Sequence, residues 1–358
     1  MAFFIGNVKI DGQVVLAPMA GVTNLEYRKM AQKFGACLTT SEMISDKGIY
    51  YNDKKTLELL NCQGLKHPYA IQIFGGDIET LLYAAKFIDK NTDCDIIDIN
   101  MGCPVPKIIR SNAGSKYLQD PERIYNTVKT IVKNVKKPVT VKIRIGWDHN
   151  SINVLEVAQL IKKAGASAIT IHGRTKTDLY SGTVRYDLIK KVKEELKDFP
   201  IIANGDINSP LKAKEVLDYT KSDAVMIGRA SYGNFYVFEQ INTYLTKNIL
   251  LEEQTLDEKK KNLIEYSKNL ISLKTETVAI RELRSQAGWF IKKVHNSAKY
   301  RNLLTQINSF SELLNILDKV KKIYFFILYL FLSCYNVVGK DNNINNIIYC
   351  IFFIENIM

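Results

Sequence analysis

Eight short runs of β-branched and apolar residues recur through the first 250 positions, and they limit the fold more than any other feature. They fall at Val14–Ala17, Leu38–Met43, Ala70–Ile73, Ile96–Asn100, Val139–Ile143, Ala168–His172, Ile201–Asn204 and Ala224–Ile227. Amphipathic segments of helical period lie between most of them, among them Asn24–Phe34, Ile78–Asp89, Pro121–Val135 and Ile152–Lys163. Strands that alternate with helices run parallel. Eight such units in about 250 residues are what a (β/α)8 barrel requires. The alternative is an open doubly wound sheet, but no GxGxxG follows the first run and the chain carries no P-loop.

The ends of these runs hold polar and glycine-rich groups that packing does not explain. They read Pro18-Met19-Ala20-Gly21, Glu42, Gln72, Asn100-Met101-Gly102-Cys103-Pro104, Lys142-Ile143-Arg144, His172-Gly173-Arg174, Asn204-Gly205-Asp206 and Gly228-Arg229. In a barrel all of them converge on the C-terminal face, where active sites form. The seventh and eighth strand ends are where barrels bind phosphate. There Gly205 and Gly228 allow close backbone approach, and Arg229 adds a charged fork. Lys142 and His172 point into the same cavity, where a cation such as Lys142 can stabilise negative charge on a bound group. A lone histidine is as readily a hydrogen-bonded core residue. Cys103 is held in a tight Gly-Cys-Pro loop. Its thiol can serve as a general acid, a nucleophile or a packing residue, and no neighbouring His favours the nucleophile.

From Thr255 to Lys322 the pattern is helical only, with periods over Leu256–Leu273, Glu276–Val294, Ala298–Ile307 and Phe310–Val320. This segment carries 14 Lys and Arg against 7 Asp and Glu, so 7 of the net +12 sits in it. Such a surplus fits a polyanionic partner, RNA above all, although a solvated helical cap has the same composition. The six cysteines form no CxxC pair, so zinc-ribbon and iron–sulfur patterns are excluded, and a chain this long needs no disulfide framework. The N-terminus lacks the charge-then-apolar pattern of a secretory signal, so the expected compartment is the cytoplasm.

Residues 323–358 differ from the rest. Ile323–Leu332 is apolar and aromatic but shorter than the ~20 residues of a membrane span, and about two-thirds of the tail is Ile, Asn, Phe, Tyr or Lys. That composition reads as translated A/T-rich sequence, with a weak membrane anchor as the alternative. A chain stopping at Lys322 is expected to keep its activity and to be more soluble. Loss of activity on truncation would show that the tail packs on the catalytic body.

Three segments together resemble the signatures of the tRNA-dihydrouridine synthases, and most closely the bacterial B-type group. They are Leu16-Ala17-Pro18-Met19-Ala20-Gly21-Val22-Thr23, Asp98-Ile99-Asn100-Met101-Gly102-Cys103-Pro104 and Ile171-His172-Gly173-Arg174-Thr175. The resemblance spans about residues 1–320. It implies an FMN-binding barrel over residues 1–250 and a tRNA-binding helical domain over residues 251–322. By the same resemblance Pro18, Met19, Ala20, Gln72, Lys142 and His172 contact the flavin ring, and Asn204, Gly205, Asp206, Gly228 and Arg229 hold its phosphate end. Asn100 and Arg144 face the uracil. NADPH or NADH reduces the flavin, hydride passes to C6 of uracil, and Cys103 protonates C5. No metal and no stable protein partner is implied. One departure bears on RNA binding. The family pattern resembles Arg-Lys-His followed by Trp-Tyr, whereas this chain reads Arg284-Ser285-Gln286-Ala287-Gly288-Trp289-Phe290. A free pyrimidine as substrate of the same type of barrel is the competing reading, and it leaves the basic helical segment without a purpose.

Overall fold

The computed structural model describes residues 2–292 and 294–320. The chain divides into two compact units, one ending at Glu252 and the other beginning at Glu253. The first opens with an antiparallel hairpin, β1 (Ala2–Ile5) and β2 (Val8–Asp11), that the sequence analysis did not anticipate. Eight parallel strands follow and close into a barrel: β3 (Val14–Leu16), β4 (Leu38–Ser45), β5 (Tyr69–Phe74), β6 (Ile96–Met101), β7 (Val139–Arg144), β8 (Ala168–His172), β9 (Ile201–Asn204) and β10 (Ala224–Ile227). Closure joins β10 to β3, with Val225 opposite Val14 and Ile227 opposite Leu16. The architecture is the expected (β/α)8 barrel, with strand bounds within about two residues of those read from the sequence.

Side chains alternate along each strand, so every second residue faces the barrel interior. That interior grades from apolar to polar along the axis. At the N-terminal end Val15, Leu38, Ala70, Ile96, Ala168, Ile202 and Ala224 form one buried cluster with Phe3, Ile5 and Ile10 of the hairpin. The hairpin therefore plugs this end. Further along β5 to β9 the interior positions become Gln72, Asp98, Thr140, Thr170 and Asn204, all buried. Polar groups at this depth are tolerable only when hydrogen-bonded, and the bonds they make shape the site.

Local chemistry sets the helices on the outside. Asn24, Asp77 and Asp120 cap the helices Leu25–Lys33, Ile78–Asn91 and Pro121–Val132 by accepting from backbone N–H groups of the first turn, and Pro121 occupies the first helical position after Asp120. A register shift in β4 between Thr40 and Met43 re-aims Glu42, whose carboxylate accepts from the Gly21 N–H at 2.5 Å.

The second unit is helical, with Leu256–Leu273, Glu276–Gln286, Ser297–Leu304 and Phe310–Lys319 packed around Leu263, Tyr266, Leu283, Phe290, Leu304, Leu313 and Leu317. Thr255 and Glu258 form a reciprocal capping box at its start. The helix expected over Glu276–Val294 ends at Gln286 and passes into a 3-10 turn at Ala287–Trp289. Gly288 in that turn is a poor helix former, and a Cβ there would meet the Arg301 side chain at 3.2 Å. The segment that departs from the family pattern has internal work. Arg284 donates to the Ile307 carbonyl and to Asn308, and buried Gln286 accepts from the Tyr266 hydroxyl at 2.9 Å. Among the described residues no helix is long and apolar enough to cross a membrane. Residues 323–358, the tail singled out above, lie outside the described residues.

Candidate active site

A cavity of about 650 Å³ opens at the C-terminal ends of the barrel strands. Every site residue named from the sequence lines it: Pro18, Met19, Ala20, Gln72, Asn100, Cys103, Lys142, Arg144, His172, Asn204, Gly205, Asp206, Gly228 and Arg229. The volume lies in the range of cofactor and small-ligand pockets.

Lys142, on β7, lines the cavity. Its Nζ donates to Asn204 Oδ1 at 3.1 Å, and the Asn204 amide nitrogen donates to the Met226 carbonyl at 2.9 Å, which fixes the direction of that amide. Burial, with Arg144 close by, pushes the Lys142 ammonium down to about 8. His172, on β8, is held well below its usual range, first by burial and then by Lys142, Arg144, Arg174 and Arg229, so it is neutral at physiological pH. Several positive groups therefore converge on one cavity, an arrangement that attracts an anion.

The loop after β9 turns sharply. Gly205 has φ of +127° and Asp206 φ of +44°. A Cβ on residue 205 would stand 2.9 Å from Val184 and 3.1 Å from the His172 ring, so only glycine fits. Asp206 accepts from Arg174 at 2.5 Å and from Arg229 at 2.7 Å, and the two guanidinium groups hold its carboxyl low. Arg174 is itself buried, and its Nη1 has no partner among the described residues. The sequence analysis noted Arg174 as a strand-end residue within a family signature and gave it no role in the site. Its role as the bridge to Asp206 depends on loop geometry that spacing does not encode.

Arg144 was expected to face a substrate base. It lines the cavity, yet three of its hydrogen bonds go to backbone carbonyls: Gly102 at 3.0 Å, Thr175 at 2.8 Å and Leu179 at 2.8 Å. It thus ties the Cys103 loop to the loop after β8. Tyr180, an exposed aromatic missed from the sequence, lies over this junction with the Arg229 and Arg144 guanidinium carbons 4.9 Å and 5.6 Å from its ring centre. The signal for it was slight: one aromatic residue ahead of a Ser-Gly turn.

Cys103 is half-buried at the cavity wall. Burial raises its thiol above the ordinary range, outweighing the Val105 backbone hydrogen bond and the Arg144 and Lys142 charges that pull it down. At neutral pH it is a protonated thiol. Its backbone N–H and that of Gly102 both donate to Asn100 Oδ1, at 3.0 Å and 3.2 Å.

The lining of the cavity fits a phosphate-bearing anionic group such as a flavin mononucleotide. Gly205, Gly228 and Arg229 line it at the ends of β9 and β10, and Lys142 and Arg144 add positive charge from β7.

Comparison with known proteins agrees with this geometry. Residues 15–324 match the family model described as "Dihydrouridine synthase (Dus)". The chain is 38% identical over 317 residues to tRNA-dihydrouridine synthase B of Pasteurella multocida, covering 88% of this chain and 94% of that protein. It is also 38% identical over 317 residues to tRNA-dihydrouridine synthase B of Klebsiella pneumoniae, covering 88% and 97%. The likeness to tRNA-dihydrouridine synthase B of Pseudomonas putida is 37% over 297 residues, covering 83% and 88%. A match that takes in the barrel and the helical unit alike shows that this chain belongs to the dihydrouridine synthase family.

Proposed function

We propose that this protein reduces uridines of tRNA to 5,6-dihydrouridine in the cytoplasm, with bound FMN as redox cofactor and NADPH or NADH as reductant. The observation that carries the reading is the position of the Cys103 thiol in the wall of a cavity ringed by cationic side chains, where burial favours its protonated form. When bound, the flavin, reduced by NAD(P)H, supplies hydride to C6 of uracil.

In this reading the barrel carries the chemistry, and Asn204, Gly205, Asp206, Gly228 and Arg229 hold the phosphate end of the cofactor. Pro18, Met19, Ala20, Gln72, Lys142 and His172 face its ring. Asn100 and Arg144 orient the base, Arg144 chiefly by holding the Gly102 carbonyl and the loop after β8. Cys103 gives its proton to C5, where charge builds as C6 accepts hydride. The thiolate left behind is stabilised by the Val105 hydrogen bond and by the Arg144 and Lys142 charges, and regains a proton from solvent. A target base must leave its stack to enter a barrel mouth. The basic helical unit holds the folded RNA through its phosphates.

Purified protein is expected to be yellow, with about one FMN per chain, and to turn over tRNA but not free uridine. A colourless protein that cannot be reconstituted with FMN overturns the flavin assignment, and equal turnover of free uridine overturns the RNA substrate. The Lys142 charge adds a pH test. It is present below about pH 8 and lost above it. Its loss removes a charged hydrogen bond of roughly 1.5–3 kcal/mol, so FMN affinity should weaken between pH 7 and 9.5. Lys142→Met should bind more weakly and show no such dependence. Fluorescence titration of FMN into the flavin-free protein checks both.

A further inference from the structure

Four buried side chains run in series from the barrel interior to the Cys103 loop. Thr140 Oγ1 donates to Asp98 Oδ1 at 2.5 Å, and Gln72 Nε2 donates to Asp98 Oδ2 at 2.6 Å. Asn100 Nδ2 donates to Gln72 Oε1 at 2.9 Å. Asn100 Oδ1 then accepts from the backbone N–H groups of Gly102 and Cys103. Asp98, Gln72 and Asn100 are each less than a tenth exposed.

The two ends of this series are chemically unlike, and that gives it a direction. An amide can be turned over so that its oxygen and nitrogen exchange places. A peptide N–H donates only, and Asp98 Oδ2 serves Gln72 as an acceptor; burial raises the Asp98 carboxyl, but a protonated form keeps the same pattern by donating from Oδ1 to the Thr140 hydroxyl. Between an acceptor at Asp98 and two donors at Gly102 and Cys103, only one orientation of both amides satisfies every contact: nitrogen toward the acid, oxygen toward the loop. We propose that Asp98 is a positioning residue for Cys103, acting through the Gln72 and Asn100 amides to fix the backbone that carries the thiol. The proposal rests on Cys103 being the proton donor of the reaction assigned above. Asp98 itself lies one interior layer below the loop and makes none of the loop contacts. Burial raises the Asp98 carboxyl, and the Thr140 and Gln72 hydrogen bonds together with the Lys142 charge pull it back down.

Asp98→Ala removes the terminal acceptor and frees the Gln72 amide to turn over. Asp98→Asn retains an acceptor for Gln72, because its own nitrogen can face the Thr140 hydroxyl, which can accept. In the flavin-free protein, hydrogen exchange at the Gly102 and Cys103 amides should quicken at least about tenfold in Asp98→Ala and stay near wild type in Asp98→Asn. In the FMN-loaded protein, flavin reduction by NADPH should be within about twofold of wild type for both. Single-turnover reduction of tRNA uridine should fall about 10- to 100-fold in Asp98→Ala, the scale of a misplaced catalytic group, with a larger solvent deuterium isotope effect. Asp98→Asn should restore most of the rate.

Unchanged exchange at Gly102 and Cys103 in Asp98→Ala overturns the relay. So does an Asp98→Asn protein as impaired as Asp98→Ala, or equal loss in both half-reactions, since either means the carboxylate only supports the barrel. If Asp98→Ala fails to fold, Gln72→Leu, which cuts the relay one link further on, replaces it in the exchange measurement, and unchanged amides there overturn the proposal equally. Failure of the underlying reading has a separate signature: Cys103→Ala would reduce tRNA at the wild-type rate whatever the amides do.

Discussion

Cys103→Ala should bind FMN and oxidise NADPH like the wild type, yet reduce tRNA uridine roughly 10²- to 10⁴-fold more slowly, the usual cost of losing a general acid. The direction follows from the state of the thiol. Burial holds it protonated at neutral pH, so it has a proton to give, and nearby Arg144 and Lys142 lessen the cost of the thiolate that remains. The substitution removes one sulfur and leaves untouched the backbone that Asn100 holds. Separate stopped-flow measurement of the two half-reactions tests the expectation. A wild-type rate in the tRNA half-reaction would place the proton donor elsewhere, and slowing of both halves would give the residue a packing role.

Neutralising Lys292, Lys293, Lys299 and Arg301 together should produce the second large effect, on RNA binding alone. Lys292, Lys299 and Arg301 are exposed, and none pairs with a carboxylate among the described residues; Lys293 lies outside them. Partial burial of the Lys292 ammonium, and after it the nearby Arg301 charge, lower it, so these two cations lie close together. Crowding of this kind costs stability unless an anion joins it. Each phosphate contact removed should flatten the log–log salt dependence of tRNA affinity by about 0.7–0.9. FMN content should not change. An unaltered slope across a salt titration would make these residues a solvated face and shift RNA recognition to other surfaces.

The barrel was legible because its signal is periodic and repeated. Ala168–His172, Ile201–Asn204 and Ala224–Ile227 have the same bounds in the sequence reading and in the structure. The hairpin Ala2–Asp11 was not legible. It is too short for a periodic signal, and its apolar residues Phe3, Ile5 and Ile10 make sense only once the barrel end they fill exists. The candidate site could be located because strand ends converge in a barrel, whatever the loops do. The bridge Arg174–Asp206–Arg229 and the place of Tyr180 depend on positive-φ turns and loop paths, which neighbouring residues in sequence do not fix. Asp98 is the instructive case. A charged residue within Ile96-Ile97-Asp98-Ile99 breaks an apolar run, and alternation puts it on the same face as Asn100. That pattern marks a buried carboxylate in the barrel, although not the amides it orients.

The pairing of β10 with β3 also governs how the molecule can be made. Val225 must find Val14, and the Tyr27 hydroxyl must find Ser231, across more than 200 intervening residues. During synthesis the early strands wait with an open edge until the chain beyond Ile227 has left the ribosome. Their unsatisfied backbone is meanwhile a template for pairing with the wrong strand. Contacts this distant in sequence also slow folding. The barrel is therefore most exposed to misassembly while it is still growing, and the availability of chaperones at that stage should govern its yield more than the stability of the finished fold.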